Sequence, residues 1–291
     1  MGKIWIQRLM NKILLISKSV KIHETLFSLP FAYFGCLMAS EGLINIADIG
    51  LVSLALFLVR TFGMAINRYI DYDIDKLNIR TKFRPLASGA LSKKSILGVI
   101  IISSILFMSL CFYINQFAFY TSPLVLLLMF FYPFTKRFTI FCSFVLGFIL
   151  SIAPVGGWVV VNGSMNFNIY IFSLAIMLWA SSFDMIYHTQ DYDFQKKHDL
   201  QSFGSKFGIT NTFYIAVALD VFSMILFILC GYLFNLNFLY FLGCILGFGI
   251  HIVKYLRNWP KSDKINLKPE FFRWNTVFSL LISSFGIISI I

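Results

Sequence analysis

The chain has 291 residues, of which 58% are hydrophobic and only 13% are charged, and its mean hydropathy is +0.80. A soluble domain of average composition carries about 25% charged residues, so this chain lacks the polar side chains needed to cover a water-facing surface. The composition therefore excludes soluble globular, disordered and nucleic-acid-binding proteins, in spite of a net charge of +11. It indicates an integral membrane protein.

The N-terminal segment, residues 1–21, is basic and amphipathic, and no small-residue cleavage site follows a short apolar core. We therefore expect a helix at the membrane surface rather than a removable signal peptide. The five cysteines lie far apart inside apolar runs and form no CxxC pair. They indicate buried apolar contacts rather than disulfides or a metal site.

Apolar segments follow, each close to the roughly 20 residues that a membrane-spanning helix needs. The predicted spans are residues 25–44, 47–66, 95–114, 117–134, 138–161, 168–187, 210–234, 237–256 and 272–290. We therefore expect an all-α polytopic membrane protein of about nine transmembrane helices. Eight spans are the alternative count.

Basic residues lie in alternate loops of this map. They fall in the N-terminal segment, after spans two, four and six, and in the link between spans eight and nine, to which we assign Lys254 and Arg273. The intervening loops contain none. Because basic loops stay in the cytoplasm, nine spans place all of these loops and the N-terminus on the cytoplasmic side.

The loop after the second span carries acidic residues at helical spacing. Asn67, Asp71 and Asp75 stand at i, i+4 and i+8, so a helix continuing from this span would align them on one face. Aligned carboxylates repel each other, and a divalent cation that prefers hard oxygen ligands, such as Mg²⁺, would relieve the repulsion. A solvated acidic turn is the alternative. Basic residues that follow, among them Arg80 and Arg84, instead favour a diphosphate site, where guanidinium groups neutralise phosphate oxygens.

The loop after the sixth span repeats this arrangement. Asp184, Tyr187 and Asp191 share a face of the predicted helix, and Gln195 and Asp199 continue that face in steps of four. Basic residues follow again, on the same predicted side of the membrane. Two such loops facing each other across a helix bundle would hold a metal–diphosphate group between them.

Both loops resemble motifs of a known family. The first, NRYIDYDIDKLNIRTKFRPLASG, resembles the NxxxDxxxD motif and RTxxRPLxSG tail of the UbiA superfamily of intramembrane prenyltransferases. The second, DMIYHTQDYDFQKKHDLQSFGSKFG, is similar to its DxxYxxxDxxxD region, and YPFTK at residues 132–136 is similar to its YxxxK motif. Within the superfamily, SLPFAYFG, KRFT and APVGGW resemble the 4-hydroxybenzoate and futalosine-route menaquinone polyprenyltransferases. The MLP signature of haem O synthases is absent.

The resemblance implies one transmembrane prenyltransferase domain over residues 1–291, with its helices bundled around a central cavity. It implies Mg²⁺-dependent transfer of a polyprenyl group from a polyprenyl diphosphate to an aromatic acid such as 4-hydroxybenzoate, in ubiquinone or menaquinone biosynthesis. The expected location is the bacterial inner membrane, among membrane lipids and without an obligate protein partner.

The resemblance also implies roles for particular residues. The implied catalytic residues are Asp71, Asp191, Lys136 and Arg80. The implied metal ligands are Asn67, Asp71, Asp75, Asp191 and Asp199. The implied diphosphate-binding residues are Arg68, Arg80, Arg84, Lys136 and Tyr187, with Asp184, Asp193, Gln195 and Arg137 as further candidates.

The second loop departs from the family pattern at two positions. The last Asp of the family motif falls on Gln195, and the Gly expected a few residues later falls on Asp199. A glutamine offers a metal one neutral oxygen and no charge. Asp193 or Asp199 would then supply the missing carboxylate, with Asp199 favoured because it lies one helical step from Gln195; otherwise a second metal is weakly held. Asp184 and Asp191 are the candidates for the base that removes the ring proton.

Two other protein classes use comparable residues. A transporter of an anionic solute would carry charges near mid-span in pseudo-symmetric halves with broken helices, whereas most charges here lie at one predicted membrane face. A CDP-alcohol phosphotransferase would carry a DGxxAR-type run, which the chain lacks. The charged residues inside predicted spans, Arg60 and Asp220, indicate buried polar contacts within the bundle.

Overall fold

The computed structural model describes residues 2–20, 28–43, 45–260, 267 and 270–291. Over these residues the chain is helical apart from the links between helices, of which residues 78–92 form a long one, and it contains no strand, which confirms the predicted all-α class. Helices α1 to α7 are Gly2–Val20, Leu29–Ala39, Ile46–Ile70, Tyr72–Leu77, Lys93–Ile114, Gln116–Thr135 and Cys142–Asn162. Helices α8 to α13 are Phe167–His188, Tyr192–Lys197, Phe203–Phe207, Ile209–Leu233, Phe238–Asn258 and Glu270–Ile290.

Eight of these helices are long and apolar enough to cross a membrane, namely α3, α5, α6, α7, α8, α11, α12 and α13. They match predicted spans two to nine. The first predicted span, residues 25–44, contains the shorter apolar helix α2, while residues 21–27 and 44 lie outside the described part of the chain. The expected architecture of about nine spans is therefore confirmed, and the chain is an integral membrane protein.

The chain packs as two compact units. The first comprises Met1–Thr25 and Leu54–Phe134. Its apolar core joins α1, α3, α5 and α6, and Leu86 and Leu91 from the link between α4 and α5 are buried in this core. These two leucines anchor the polar segment that follows α3 to the helices beside it.

The second unit comprises Leu26–Ser53 and Thr135–Ile291. Six of its helices form a closed ring of contacts in the order α2, α7, α8, α11, α12 and α13, with α13 contacting α2 again. Helices α2 and α7 pack closely because Gly35 and Gly157 carry no side chain; a Cβ at either would collide with the backbone of the opposite helix. Buried aromatic side chains in mutual contact link four of the six helices: Phe31, Phe34, Phe172, Trp179, Phe227 and Phe278.

Lys254 corrects one sequence-based assignment. We placed it in a basic link between spans, but it lies within α12 with 1% of its surface exposed. Its Nζ donates to Asp220 Oδ2 on α11 at 2.6 Å, and the Tyr255 hydroxyl donates to the same oxygen at 2.8 Å. Because a buried charge must be paired, this contact explains why Lys254 and Asp220 can both lie inside the helix bundle. It confirms the buried polar contact expected of Asp220.

Candidate active site

The first acidic motif keeps a helical register past the end of α3. Asp71 follows the last residue of α3 and its backbone N–H donates to Asn67 O at 3.0 Å. The Asp75 N–H in turn donates to Asp71 O at 2.7 Å, within the short helix α4. These i to i+4 hydrogen bonds align Asn67, Asp71 and Asp75 on one face, as their spacing predicts.

The carboxylates of this motif are buried although they lie in the polar segment. Asp71 is 3% exposed and Asp75 is 5% exposed. Arg84 Nη1 donates to both carboxylate oxygens of Asp75, at 2.7 and 2.9 Å. Arg68, also buried, places its Nη1 3.7 Å from Asp75 Oδ2 and donates to Asn67 Oδ1 at 3.3 Å. The last acid of the motif is therefore paired with arginine, as a buried charge requires.

Further hydrogen bonds order the segment between Asp75 and Arg84. The Thr81 hydroxyl donates to Asp75 O at 3.1 Å, and the Arg80 N–H donates to Asn78 Oδ1 at 2.9 Å. Arg80 itself is exposed, whereas Arg84 is partly buried. Arg80 therefore lies at the surface of this segment, whereas Arg84 binds the carboxylate of Asp75 at its start.

The second acidic motif is not one continuous helix. Helix α8 ends at His188, a 3₁₀ turn covers Thr189–Asp191, and α9 covers only Tyr192–Lys197. The expectation that a single helical face extends to Asp199 is wrong, because α9 ends two residues earlier and Asp199 has a left-handed φ of 51°. Asp199 is exposed, as is Asp193.

Asp184 lies deeper, in the last part of α8, and is 4% exposed. Its Oδ2 is 3.5 Å from His188 Nε2, one helical turn along. On the other side of the imidazole, Nδ1 is 3.6 Å from Cys142 Sγ at the start of α7. The i, i+4 spacing of Asp184 and His188 is the sequence signal for the first of these contacts, whereas nothing in the spacing indicates that Cys142 lies beside His188.

Gln195 occupies the position of the missing carboxylate and is 7% exposed. The Ser202 hydroxyl donates to its Oε1 at 2.6 Å, and the Leu200 N–H donates to its backbone oxygen at 2.9 Å. Residue spacing carries no signal for the Ser202 contact, because Gln195 lies in α9 and Ser202 precedes α10 as its N-cap. Gln195 thus ties α9 to the segment that follows it.

The segment after α6 contacts the second motif. The Gln201 N–H donates to Lys136 O at 2.6 Å, and Cys142 Sγ lies 3.7 Å from Gln201 O. Lys136 is partly buried and Arg137 is exposed. The structure therefore brings the backbone of Lys136 beside residues that follow α9, within one unit.

These features define a class: a polytopic membrane protein whose acidic motifs, each accompanied by basic residues, follow the polar ends of membrane-spanning helices. Comparison with known proteins identifies the family. The profile of the UbiA prenyltransferase family matches residues 28–277. The chain belongs to this family and is a prenyltransferase.

Individual relatives are named as prenyltransferases as well. The chain is 28% identical over 230 residues to a 4-hydroxybenzoate octaprenyltransferase of Francisella tularensis subsp. novicida, covering 79% of each protein. It is 30% identical over 215 residues to a protein of the same name from Tolumonas auensis, covering 74% of this chain and 75% of that one.

Solved structures agree in fold. A UbiA homolog from Aeropyrum pernix K1 in its apo form superposes with a TM-score of 0.83 at 30% identity, covering 92% of this chain and 98% of that one. A UbiA homolog from Archaeoglobus fulgidus bound to GPP and Mg²⁺ has a TM-score of 0.73 at 18% identity, covering 95% and 99%. The latter likeness concerns the fold alone.

Proposed function

We propose that this prenyltransferase moves a polyprenyl group from a polyprenyl diphosphate to an aromatic acid such as 4-hydroxybenzoate, in an Mg²⁺-dependent step of quinone biosynthesis. The observation that carries the proposal is the first motif, in which two buried carboxylates and an arginine follow the end of a membrane-spanning helix. Ionisable groups of this kind at a membrane boundary are costly to bury and mark functional sites. The names of the bacterial relatives support the aromatic acceptor.

The donor set of the first motif fits Mg²⁺. Asn67, Asp71 and Asp75 offer amide and carboxylate oxygens from one helical face. Among the residues that the structure describes, no three His, Cys, Asp or Glu side chains are gathered closely enough to hold a metal by themselves. Mg²⁺ commonly takes one or two carboxylates and completes its shell with substrate phosphates and water, so these donors suit a metal that binds together with a diphosphate.

In the proposed reaction, the allylic carbon–oxygen bond to the diphosphate breaks and a carbon–carbon bond to the aromatic ring forms. Mg²⁺, when bound, would stabilise the charge on the departing diphosphate. Arg80, Arg84 and Lys136 would add fixed positive charge, and Arg68 would hold the motif in place. The surrounding apolar helices would keep water from the allylic cation. The ring then loses its proton, for which Asp184 and Asp191 are the two carboxylates that we propose.

The second motif supplies further roles to the proposal. We propose Asp191 as the metal ligand of the second motif and Tyr187 as a diphosphate contact, with Asp193 and Arg137 as further candidates. We leave Asp199 out of this set because it is exposed and lies beyond the end of α9. We also propose one catalytic domain in a bacterial inner membrane, with both motifs and the N-terminus on the cytoplasmic side. The distribution of basic loops supports that orientation.

An acceptor screen tests the proposal. Purified protein in lipid nanodiscs is given Mg²⁺, a polyprenyl diphosphate and, in turn, 4-hydroxybenzoate or a naphthoate-type acid, and products are scored by mass. We expect a product heavier than the acceptor by one prenyl group, and no product when Mg²⁺ is chelated. Transfer only to non-aromatic acceptors would overturn the proposed substrate class while leaving the family assignment intact.

A further inference from the structure

Gln195 makes a short side-chain hydrogen bond where the family motif has an acid. Its Oε1 accepts a hydrogen bond from the Ser202 hydroxyl at 2.6 Å, and both residues are buried, at 7% and 1% exposure. The Ser202 Oγ also accepts the Ser205 N–H at 3.0 Å, as the N-cap of α10. The oxygen of Gln195 is therefore already engaged in ordering the chain between α9 and α10.

The same position of the first motif has a comparable contact. Asp75 binds Arg84, nine residues later, just as Gln195 binds Ser202, seven residues later. In both motifs the backbone oxygen of this residue also accepts a hydrogen bond from the following segment, from Thr81 in the first motif and from Leu200 in the second. In each motif the last position thus fastens the segment that follows it.

Asp199, the alternative carboxylate that the sequence favoured, is poorly placed to replace Gln195. Asp199 lies beyond the end of α9, exposed and in a left-handed conformation. It therefore does not share a helical face with Asp191.

From these contacts we infer that Gln195 is a positioning residue, which holds Ser202 and thereby the segment from Leu200 to Lys206. We also infer that it is not a metal ligand, because its one side-chain oxygen is neutral and already accepts the Ser202 hydroxyl, whereas Asp75 offers two charged oxygens. The statement that Gln195 is not a metal ligand rests on the proposed function, whereas its positioning role does not. In this chain the second motif would fasten its following segment with a neutral hydrogen bond where the first motif uses an ion pair.

Hydrogen exchange measured by mass spectrometry tests the positioning role on the full-length protein in nanodiscs without substrate. Peptides covering residues 198–208 report the amides of Leu200, Gln201, Ser205 and Lys206, all of which are hydrogen-bonded. We expect Gln195→Ala and Ser202→Ala each to speed exchange there by about 10-fold, since each leaves a buried polar group without its partner. The double variant should exchange no faster than Ser202→Ala alone.

Ser205→Ala is the matched control. It removes the second hydroxyl of the capping box but leaves the Gln195–Ser202 hydrogen bond in place. Its effect should therefore add to that of Gln195→Ala, whereas the effect of Ser202→Ala should not. Additive effects of Gln195→Ala and Ser202→Ala, or an unchanged exchange rate in Gln195→Ala, would overturn the positioning role.

Mn²⁺ binding tests whether Gln195 is a metal ligand. Farnesyl thiolodiphosphate is the diphosphate probe, and electron paramagnetic resonance is the readout. If Gln195 is a positioning residue, Gln195→Ala should weaken Mn²⁺ binding to the same extent as Ser202→Ala, within about threefold. A metal ligand would instead make Gln195→Ala at least about 10-fold weaker while Ser202→Ala binds normally, and this result would overturn the inference. If the wild-type protein binds neither probe, the proposed function fails, whereas the exchange experiment still decides the positioning role.

Discussion

The last positions of the two acidic motifs hold their following segments by different chemistry. In the first motif Asp75 accepts two hydrogen bonds from Arg84, so an ion pair holds the segment between these two residues. In the second motif Gln195 accepts one hydrogen bond from Ser202, and both partners are neutral. Arg84 is partly exposed, with 22% of its side-chain surface accessible, whereas Ser202 is fully buried.

This difference has a consequence for ligand binding. A guanidinium group can exchange a carboxylate for a phosphate, because both present oxygens in a matching geometry. A serine hydroxyl that already binds an amide oxygen and caps a helix has no comparable alternative. We therefore expect a diphosphate to loosen the contact in the first motif and to leave the contact in the second motif intact.

The largest expected effect lies at the central carboxylates, which are equivalent in the two motifs. Asp71→Ala and Asp191→Ala should each lower kcat/KM by about 1,000-fold, because each removes a carboxylate that we propose holds Mg²⁺ against the departing diphosphate. Product formation by mass spectrometry measures the loss, and Asp73→Asn, at an exposed neighbour, is the control. Full activity in both alanine variants would contradict the assignment of these motifs to the reaction.

The ion pair of the first motif should come next. Arg84→Gln leaves the buried Asp75 without its main cation, and we expect kcat/KM to fall by about 100-fold. Arg84→Lys keeps the charge but loses the planar geometry, so it should recover about 10-fold of that loss. Steady-state kinetics with varied prenyl diphosphate make the measurement. Equal activity of the Gln and Lys variants would show that the charge of Arg84 does not matter.

The neutral hydrogen bond of the second motif should matter less. Ser202→Ala should lower kcat/KM by about 10-fold, in line with the loss of one buried hydrogen bond and a helix cap. The same kinetic assay compares it with Ser205→Ala, for which we expect a smaller loss. If Ser202→Ala were as damaging as Arg84→Gln, the contrast between charged and neutral contacts would not hold.

The smallest expected effect is at Asp199. Replacing it with glycine relieves the left-handed backbone at φ 51°, and we expect the free energy of unfolding to rise by about 0.5–1 kcal/mol. Denaturation in detergent measures the gain. Activity should stay at the wild-type level; a loss of 10-fold or more would instead restore Asp199 as the carboxylate that Gln195 lacks.

Local patterns predicted much of this protein. Apolar length gave the membrane spans, and the four-residue spacing of Asn67, Asp71 and Asp75 gave the register of the first motif. These predictions succeed because a helix relates residues only three or four positions apart. The same logic failed at Asp199, where a 3₁₀ turn and the end of α9 interrupt the register.

The sequence by itself determined that the chain spans a membrane, that two polar segments carry acidic residues at helical spacing, and that it resembles prenyltransferases. Only the tertiary structure decided which charges and polar groups meet: Arg84 with Asp75, Ser202 with Gln195, and Lys254 with Asp220, 34 residues apart. Burial is the physical reason. A charged or polar group removed from water must find a partner, and packing, rather than spacing along the chain, determines which partner is within reach.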